Sequence, residues 1–298
     1  MAEPIVDDFY TARNRLYLGA YPQVLSNLAQ LTRTAPQFEV EKQTLQYRAY
    51  LGQGNYKLVL DEIPDSPSTA APLSAIRQLA ILKQDPASEP ALAAVSELVA
   101  APENLLSGTF VAIAAQALAI AHRHDEALRI LAMHPKNLEC VALSTAILLE
   151  IDRVDMAQKL VSHTRVWAED APIAQLAEAW TALRTGGQKY TEASYIFEGL
   201  AQASAVSTVQ LLNSAAVAKM HLNQIPEAEA LLQEALEKDS NNPDALANLI
   251  VCANLSAKPL ETKARYISQL RDVAPNHPFV QDLAAKDAEF DAVASRLS

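Results

Sequence analysis

The sequence predicts an all-α fold in which about eight pairs of antiparallel helices stack side by side and are followed by one C-terminal helix. Three observations predict it. Hydrophobic residues make up 50% of the chain but aromatic residues only 6%, with 7 glycines, so the helix formers Ala and Leu dominate. A small residue recurs at the spacing of a helix pair, and prolines fall between the resulting segments. We expect residues 1–298 to form a single domain.

The repeat consists of a tight turn followed by a small or apolar residue. Neighbouring repeats are about 30 to 36 residues apart, close to the roughly 34-residue tetratricopeptide period. The clearest unit covers residues 210–242 and ends in EALEKDSNN. This pattern is typical of a right-handed tetratricopeptide-like α-solenoid, in which a small residue near the turn lets two helices approach closely. The recurring positions are Val24, Val59, Ala127, Ala157, Ala193 and Ala228.

Turn residues and apolar periodicity together set the expected boundaries of the helix pairs. The pairs are predicted near residues 4–33, 38–63, 70–100, 105–133, 138–165, 171–202, 208–238 and 243–273, with the closing helix near 278–296.

Charge and cysteine content exclude several classes of protein. The chain has 24 basic against 35 acidic residues, a net charge of −11, so nucleic acid and direct membrane insertion or binding are not expected. The start of the chain does not look like a secretory signal, and the most apolar run, Val111 to Ala121, is too short to span a membrane. Cys140 and Cys252 are expected to be buried free thiols. The sequence therefore predicts a cytoplasmic protein.

Motifs for catalysis or cofactor binding were sought and not found in the sequence. The glycines of GQG, Gly52 to Gly54, and the pair Gly186–Gly187 are interpreted as tight turns that need positive φ, because no phosphate-binding motif surrounds them. His122 and His124 are two residues apart, so on one helix their side chains would point away from each other and would not share a metal ion. We therefore predict no enzyme, no catalytic or metal-ligating residues and no cofactor.

The first helix of each pair should line a concave groove, with its exposed residues at spacings of three and four. This stripe is mainly small and apolar with a few amides, so it suits a partner with an apolar face. The alternative is that these residues pack within the solenoid itself. The predicted partner-binding residues are Thr44, Arg48, Leu51, Gln116, Ala119, Ala146, Leu149, Asn213, Val217, Met220, Val251 and Asn254.

Several segments go beyond a generic repeat. They include AWTALRTGGQKYTEASYIFE at 179–198, whose doubled glycine an ordinary tetratricopeptide repeat lacks, and also YRAYL at 47–51, EALLQEALEKDS at 229–240 and HPF at 277–279. In this order they resemble the coatomer epsilon subunit family over nearly the whole chain.

The resemblance implies a non-catalytic subunit of the coatomer (COPI) coat, acting in Golgi-to-ER retrieval and intra-Golgi vesicle transport. It implies a cytoplasmic protein that is peripheral on Golgi membranes and COPI-coated vesicles. The implied partner, within the heteromeric coatomer complex, is the C-terminal domain of the alpha coatomer subunit, around which the solenoid of this family curls and which it stabilises.

Two other readings stay open. A tetratricopeptide co-chaperone or scaffold would grip an acidic peptide in its groove, and Asn213 and Asn248 resemble two positions of such a clamp, although no Lys accompanies them on the stripe. An enzyme with an unrecognised site is the second alternative, and it would show perturbed carboxylate or histidine pKa values gathered in a deep pocket.

Overall fold

Helices form the secondary structure of this protein in a computed structural model that describes residues 9–31, 38–203 and 207–297. These ranges contain seventeen α-helices, a short 3-10 helix at Asn104–Leu106 and no strand. The α-helices are α1 Tyr10–Tyr17, α2 Tyr21–Gln30, α3 Glu39–Gly52, α4 Tyr56–Glu62, α5 Ala71–Gln84, α6 Glu89–Ala100, α7 Gly108–Ile120, α8 His124–Leu131, α9 Leu138–Glu150, α10 Val154–Ala168, α11 Pro172–Thr185, α12 Lys189–Ala203, α13 Val209–His221, α14 Ile225–Lys238, α15 Pro243–Leu255, α16 Leu260–Val273 and α17 Pro278–Leu297.

The predicted all-α fold of eight helix pairs and a closing helix is confirmed. The expected start and end of the first pair, residues 4 and 33, lie outside the described residues. Proline occupies the first or second position of helices α2, α5, α6, α11, α14 and α15, where its missing amide hydrogen costs little.

The turn inside most pairs follows one pattern. A residue with positive φ ends the first helix, and the amide of the next residue donates a hydrogen bond to a carbonyl five residues back, as from Ala20 to Arg15 at 2.8 Å. This is the Schellman motif, which satisfies the last carbonyls of a helix. The positive-φ residues of six such turns are Gly19, Gly54, His122, Asp152, Asn223 and Ala257.

Five residues after the positive-φ position comes the recurring small or apolar residue in five of these six turns; after Ala257 the position is the partly buried Thr262. Val24, Val59, Ala127, Ala157 and Ala228 follow this spacing, and each has no exposed surface. Ala193 follows the Gly186–Gly187 turn and is equally buried. Val24, Ala157 and Ala228 pack in core clusters with residues of the first helix of their pair, as the predicted packing role expects.

Gly52 is an exception to the prediction for the glycines. Gly54, Gly186 and Gly187 have positive φ as expected, but Gly52 lies in the last turn of α3 and is not among the positive-φ residues. A Cβ atom at Gly52 would collide with the ring of Tyr21. The absent side chain therefore serves close packing of α2 on α3 instead of a left-handed turn.

The Cα atoms group into two compact units, one ending at Gly186 and the other beginning at Gly187. In the first unit the largest core cluster is formed by helices α3 to α9, with Phe110, Ile76 and Leu118 almost fully buried. In the second unit one cluster contains Leu232 and Leu249, and another contains Leu246 and Leu270. The single domain expected over residues 1–298 stays a prediction.

None of the helices in the described ranges is both long and apolar enough to cross a membrane. Cys140 and Cys252 are buried free thiols, as predicted.

Candidate partner-binding surface

The first helices of the pairs in the first unit follow one another in a closed circuit. Helix α1 contacts α3, and the contacts continue through α5, α7 and α9 to α11, which returns to contact α1. The surface that these six helices turn toward one another is called the inner face below. Because the circuit closes, groups far apart in sequence meet on the inner face.

The inner face is bridged by Tyr17 of α1, Arg48 of α3 and Glu139 of α9. The Tyr17 hydroxyl donates to Glu139 Oε2 at 3.2 Å, and the Arg48 guanidinium forms an ion pair with Glu139 Oε1. Only 16% of the Arg48 side chain and 15% of the Glu139 side chain are exposed. Each ion of this buried pair stabilises the other, because either charge alone would be costly to remove from water.

The balance of burial and local charges raises the pKa of Tyr17 and of Arg48. Burial and the nearby Glu139 carboxylate both raise the pKa of the Tyr17 hydroxyl well above its usual range, so it remains a hydrogen-bond donor. For Arg48, burial lowers the pKa of the guanidinium, but the Glu139 charge outweighs burial and the net direction is upward. Arg48 is therefore always charged and Glu139 always has a positive neighbour.

Three pockets border the bridge. A pocket of about 150 Å³ has mostly apolar walls, formed by residues such as Ile173, Leu176 and Trp180, with Gln116 as a polar group. A pocket of about 200 Å³ lies beside Tyr21 on the side of α2 and α5. The largest, of about 420 Å³, is lined by aromatic and charged residues, Tyr10, Arg13, Glu41, Lys136 and Trp167 among them.

The predicted stripe residues of the first unit fall into two groups. Arg48, Gln116 and Ala146 line the pockets beside the bridge, and Ala119 is partly buried against the core. Thr44, Leu51 and Leu149 are at most 7% exposed, although Leu51 reaches the wall of the 200 Å³ pocket. The Thr44 hydroxyl donates to the Val40 carbonyl at 2.7 Å. These three side chains pack within the chain, as the alternative interpretation of the stripe expected.

The predicted stripe residues of the second unit lie on α13 and α15. Asn213, Val217, Met220 and Val251 are partly buried, and Asn254 is exposed. Asn213 accepts a hydrogen bond from the amide of Asn248 at 2.8 Å. This hydrogen bond joins the first helices of two neighbouring pairs, α13 and α15.

Sequence reasoning missed Tyr17, Glu139, Leu143, Ile173 and Leu176 as pocket residues. Glu139 looks in the sequence like an ordinary acidic residue in the first turn of a helix. Its partners are 91 and 122 residues away along the chain, so no local sequence pattern predicts the bridge. Trp180 packs against buried residues of α9 and α10 and also forms a pocket wall.

Comparison with known families identifies the chain. The model of the coatomer epsilon subunit family matches residues 5–298. The chain belongs to the coatomer epsilon subunit family. The coatomer subunit epsilon-1 of Arabidopsis thaliana is 32% identical over 295 residues, covering 98% of this chain and 97% of the relative. The coatomer subunit epsilon of Caenorhabditis elegans is 31% identical over 291 residues, covering 98% and 99%. The family resemblance expected from the sequence is confirmed.

Solved structures support the fold of this coatomer epsilon family member. The crystal structure of the APC/C hetero-tetramer Cut9-Hcn1 is similar, with a TM-score of 0.65 and 13% identity over 91% of this chain and 53% of that chain. A tetratricopeptide repeat protein from Parabacteroides merdae gives a TM-score of 0.58 and 13% identity over 89% and 97%. At these identities the likeness shows a tetratricopeptide-like fold alone.

Proposed function

We propose that this chain is a non-catalytic structural subunit of the COPI coat and that it binds and stabilises the C-terminal domain of the alpha coatomer subunit. The family match over residues 5–298 carries the proposal. In this role the chain takes part in Golgi-to-ER retrieval and intra-Golgi transport, with residues 1–298 acting as one binding domain. It is cytoplasmic and is recruited to Golgi membranes and COPI vesicles through its partners, because its net charge of −11 is repelled by anionic lipid.

The inner face of the first unit supports a protein partner. The 150 Å³ pocket combines the apolar side chains of Ile173, Leu176 and Trp180 with the polar ends of Tyr17 and Gln116. An aromatic wall with a few polar groups is typical of a hot spot, where one apolar side chain of a partner is buried and its neighbours are hydrogen-bonded. We therefore propose that this pocket receives an apolar side chain of the alpha subunit domain.

Two carboxylates whose pKa values are lowered belong to ion pairs. The hydrogen bond from Arg153 holds the pKa of Asp155 below its usual value, and the hydrogen bond from Lys219 does the same for Glu198. A general acid or base would instead need a pKa close to the working pH. These carboxylates behave as members of structural ion pairs.

The acidic-peptide reading has less support. Its candidate clamp residues Asn213 and Asn248 are hydrogen-bonded to each other. Lys219, which lies on α13 with Asn213, forms ion pairs with Glu198 at 2.8 Å and Glu227 at 3.2 Å. A peptide carboxylate would have to displace these contacts in order to bind. Micromolar binding of an acidic peptide in a fluorescence titration would nevertheless support this alternative.

The test is complex formation between the full chain and the purified C-terminal domain of the alpha subunit. Calorimetry and light scattering should show one-to-one binding. Ala146→Phe fills the 150 Å³ pocket and should weaken binding at least tenfold, whereas Ala132→Phe, at an exposed position after α8, should not. No complex with the unchanged chain would refute the proposed partner, and equal affinity for Ala146→Phe would refute the pocket.

A further inference from the structure

The turn between α7 and α8 brings two histidines together. The sequence argument that His122 and His124 point apart assumed that both lie on one helix, and this assumption is wrong. His122 lies in the turn with φ of 58°, and His124 is the first residue of α8. The left-handed turn swings the His122 ring over, so that the two ring centroids are 5.8 Å apart and nearly perpendicular.

A carboxylate from the next helix pair completes the cluster. Glu150 is the last residue of α9, and its Oε1 lies 4.0 Å from Nε2 of His124. One ligand atom from each of His122, His124 and Glu150 lies within 4.8 Å of the other two. Three residues from two helix pairs thus direct nitrogen and oxygen atoms at one point.

No hydrogen bond among the described residues explains why the His124 side chain is mostly buried. Its side chain is only 18% exposed, and its Nδ1 is buried without a hydrogen-bond partner in the part of the chain that the structure describes. Its Nε2 faces Glu150 at a distance longer than a hydrogen bond. The Nε2 atom is therefore the ring nitrogen that faces the carboxylate and is available to a further ligand.

The neighbouring positive charge is directed elsewhere. Arg123 lies between the two histidines in sequence, but its Nε donates to Glu126 at 2.8 Å and its Nη1 donates to Ser96 on α6 at 3.0 Å. The guanidinium is therefore paired with Glu126 and hydrogen-bonded to Ser96.

We propose that His122, His124 and Glu150 bind one Zn²⁺ ion, with water or a partner group as the fourth ligand. Two imidazoles and a carboxylate form a ligand set that zinc accepts in tetrahedral geometry. Ligand bonds of about 2.0–2.2 Å place neighbouring ligand atoms about 3.4 Å apart. The His124–Glu150 separation has to close by about 0.6 Å and the other separations by at most about 1.4 Å, through rotation of the exposed His122 and Glu150 side chains.

The ion would connect the fourth helix pair to the fifth. His122 and His124 belong to the turn of the α7–α8 pair, and Glu150 to the end of α9. Because a metal that binds only the folded state stabilises that state, zinc should raise the resistance of these helices to unfolding. This site does not depend on the proposed coat function.

The test is zinc uptake by the full chain after removal of metals with a chelator. Equilibrium dialysis with metal analysis should find one Zn²⁺ per chain, calorimetry should give its affinity, and the unfolding temperature should rise with zinc. Glu150→Gln removes a ligand charge from a half-exposed side chain. His122→Asn removes a ligand but keeps the left-handed turn, because Asn adopts positive φ at the matching position Asn223.

We expect each substitution to weaken zinc binding at least tenfold and to abolish the zinc-dependent rise in unfolding temperature. His163→Asn, which removes an exposed histidine on α10, is the control and should bind zinc like the unchanged chain. The metal-free unfolding temperatures of the variants show that they fold. The proposal is overturned if the unchanged chain takes up no zinc, or if Glu150→Gln and His122→Asn bind it as tightly as the control.

Discussion

The same repeat produces two different inner surfaces in the two units. In the first unit α11 returns to α1, and the circuit encloses a buried ion pair between residues 91 positions apart. In the second unit the first helices α13 and α15 contact each other through neutral amides, and α17 keeps Phe290 72% exposed. Whether the inner surface of a helix pair carries charged or neutral groups is therefore not determined by the pair alone. It depends on the other helices that the pair contacts in the fold.

The largest expected effect comes from breaking the ion pair of the first unit. Glu139→Gln leaves the Arg48 guanidinium largely buried without a counter-charge. We expect the free energy of unfolding to fall by about 2–3 kcal/mol in urea denaturation, because a hydrogen bond to a charged group is lost and the remaining ion stays desolvated.

Two controls sharpen this result. Arg184→Gln removes an exposed ion pair with Asp152 in the same unit and should cost less than about 1 kcal/mol. Replacing both ions together, Arg48→Met with Glu139→Leu, should recover most of the loss, since an apolar pair has no charge to leave unpaired. A Glu139→Gln variant as stable as the unchanged chain would mean that the bridge does not hold the circuit together.

The second prediction compares one buried thiol from each unit. Burial, with a smaller contribution from Glu139, raises the pKa of Cys140 from 9.0 to about 12, and burial, with Glu229, raises that of Cys252 to about 11. Below pH 9 both thiols are neutral in the folded and the unfolded chain. As the pH rises from 9 toward these folded values, only the unfolded thiols ionise, so stability is lost by at most about 1.4 kcal/mol per pH unit for each thiol.

Denaturation at pH 8 and pH 10.5 measures this loss. Cys140→Ala and Cys252→Ala should each lose about 1–2 kcal/mol less than the unchanged chain between the two pH values. Tyrosines and lysines titrate alike in all three proteins and cancel in the comparison. Equal losses in the variants and in the unchanged chain would show that these thiols ionise as easily in the folded state as in the unfolded one.

The smallest expected effects come from matched turns. Gly54 in the first unit and Ala257 in the second occupy the same turn position with φ of 77° and 50°. Gly54→Ala places a Cβ in open space, so its cost is conformational, about 1 kcal/mol. Ala257→Gly removes that strain and should raise the unfolding temperature, with a gain of about 0.5–1 kcal/mol. Changes of the same sign in the two variants would contradict the shared turn geometry.

The sequence was sufficient to predict the fold because the repeat is a local pattern. The turn and the small residue five positions later, as at His122 and Ala127, lie within one helix pair, so contacts inside that pair are enough to explain them. The prediction failed at Gly52, because the ring of Tyr21 on the preceding helix leaves no room for a side chain there.

The candidate site could be predicted only in part. Arg48, Gln116 and Ala146 were found from the helical stripe, because they occur at regular spacing. Glu139 and Tyr17 were not, since their importance depends on the closure of the circuit between α1 and α11. The His122, His124 and Glu150 cluster was missed for a related reason, as one left-handed residue changed the direction of a ring.

The Arg48–Glu139 pair also has a consequence for biosynthesis. Glu139 leaves the ribosome 91 residues after Arg48, a delay of roughly 5–18 s at the usual rate of translation. Helices α4 to α8 emerge during that interval, while the guanidinium of Arg48 is in water without its counter-ion. We expect the nascent chain to stack its early hairpins first and to draw its interior together only when α9 and α11 have been made.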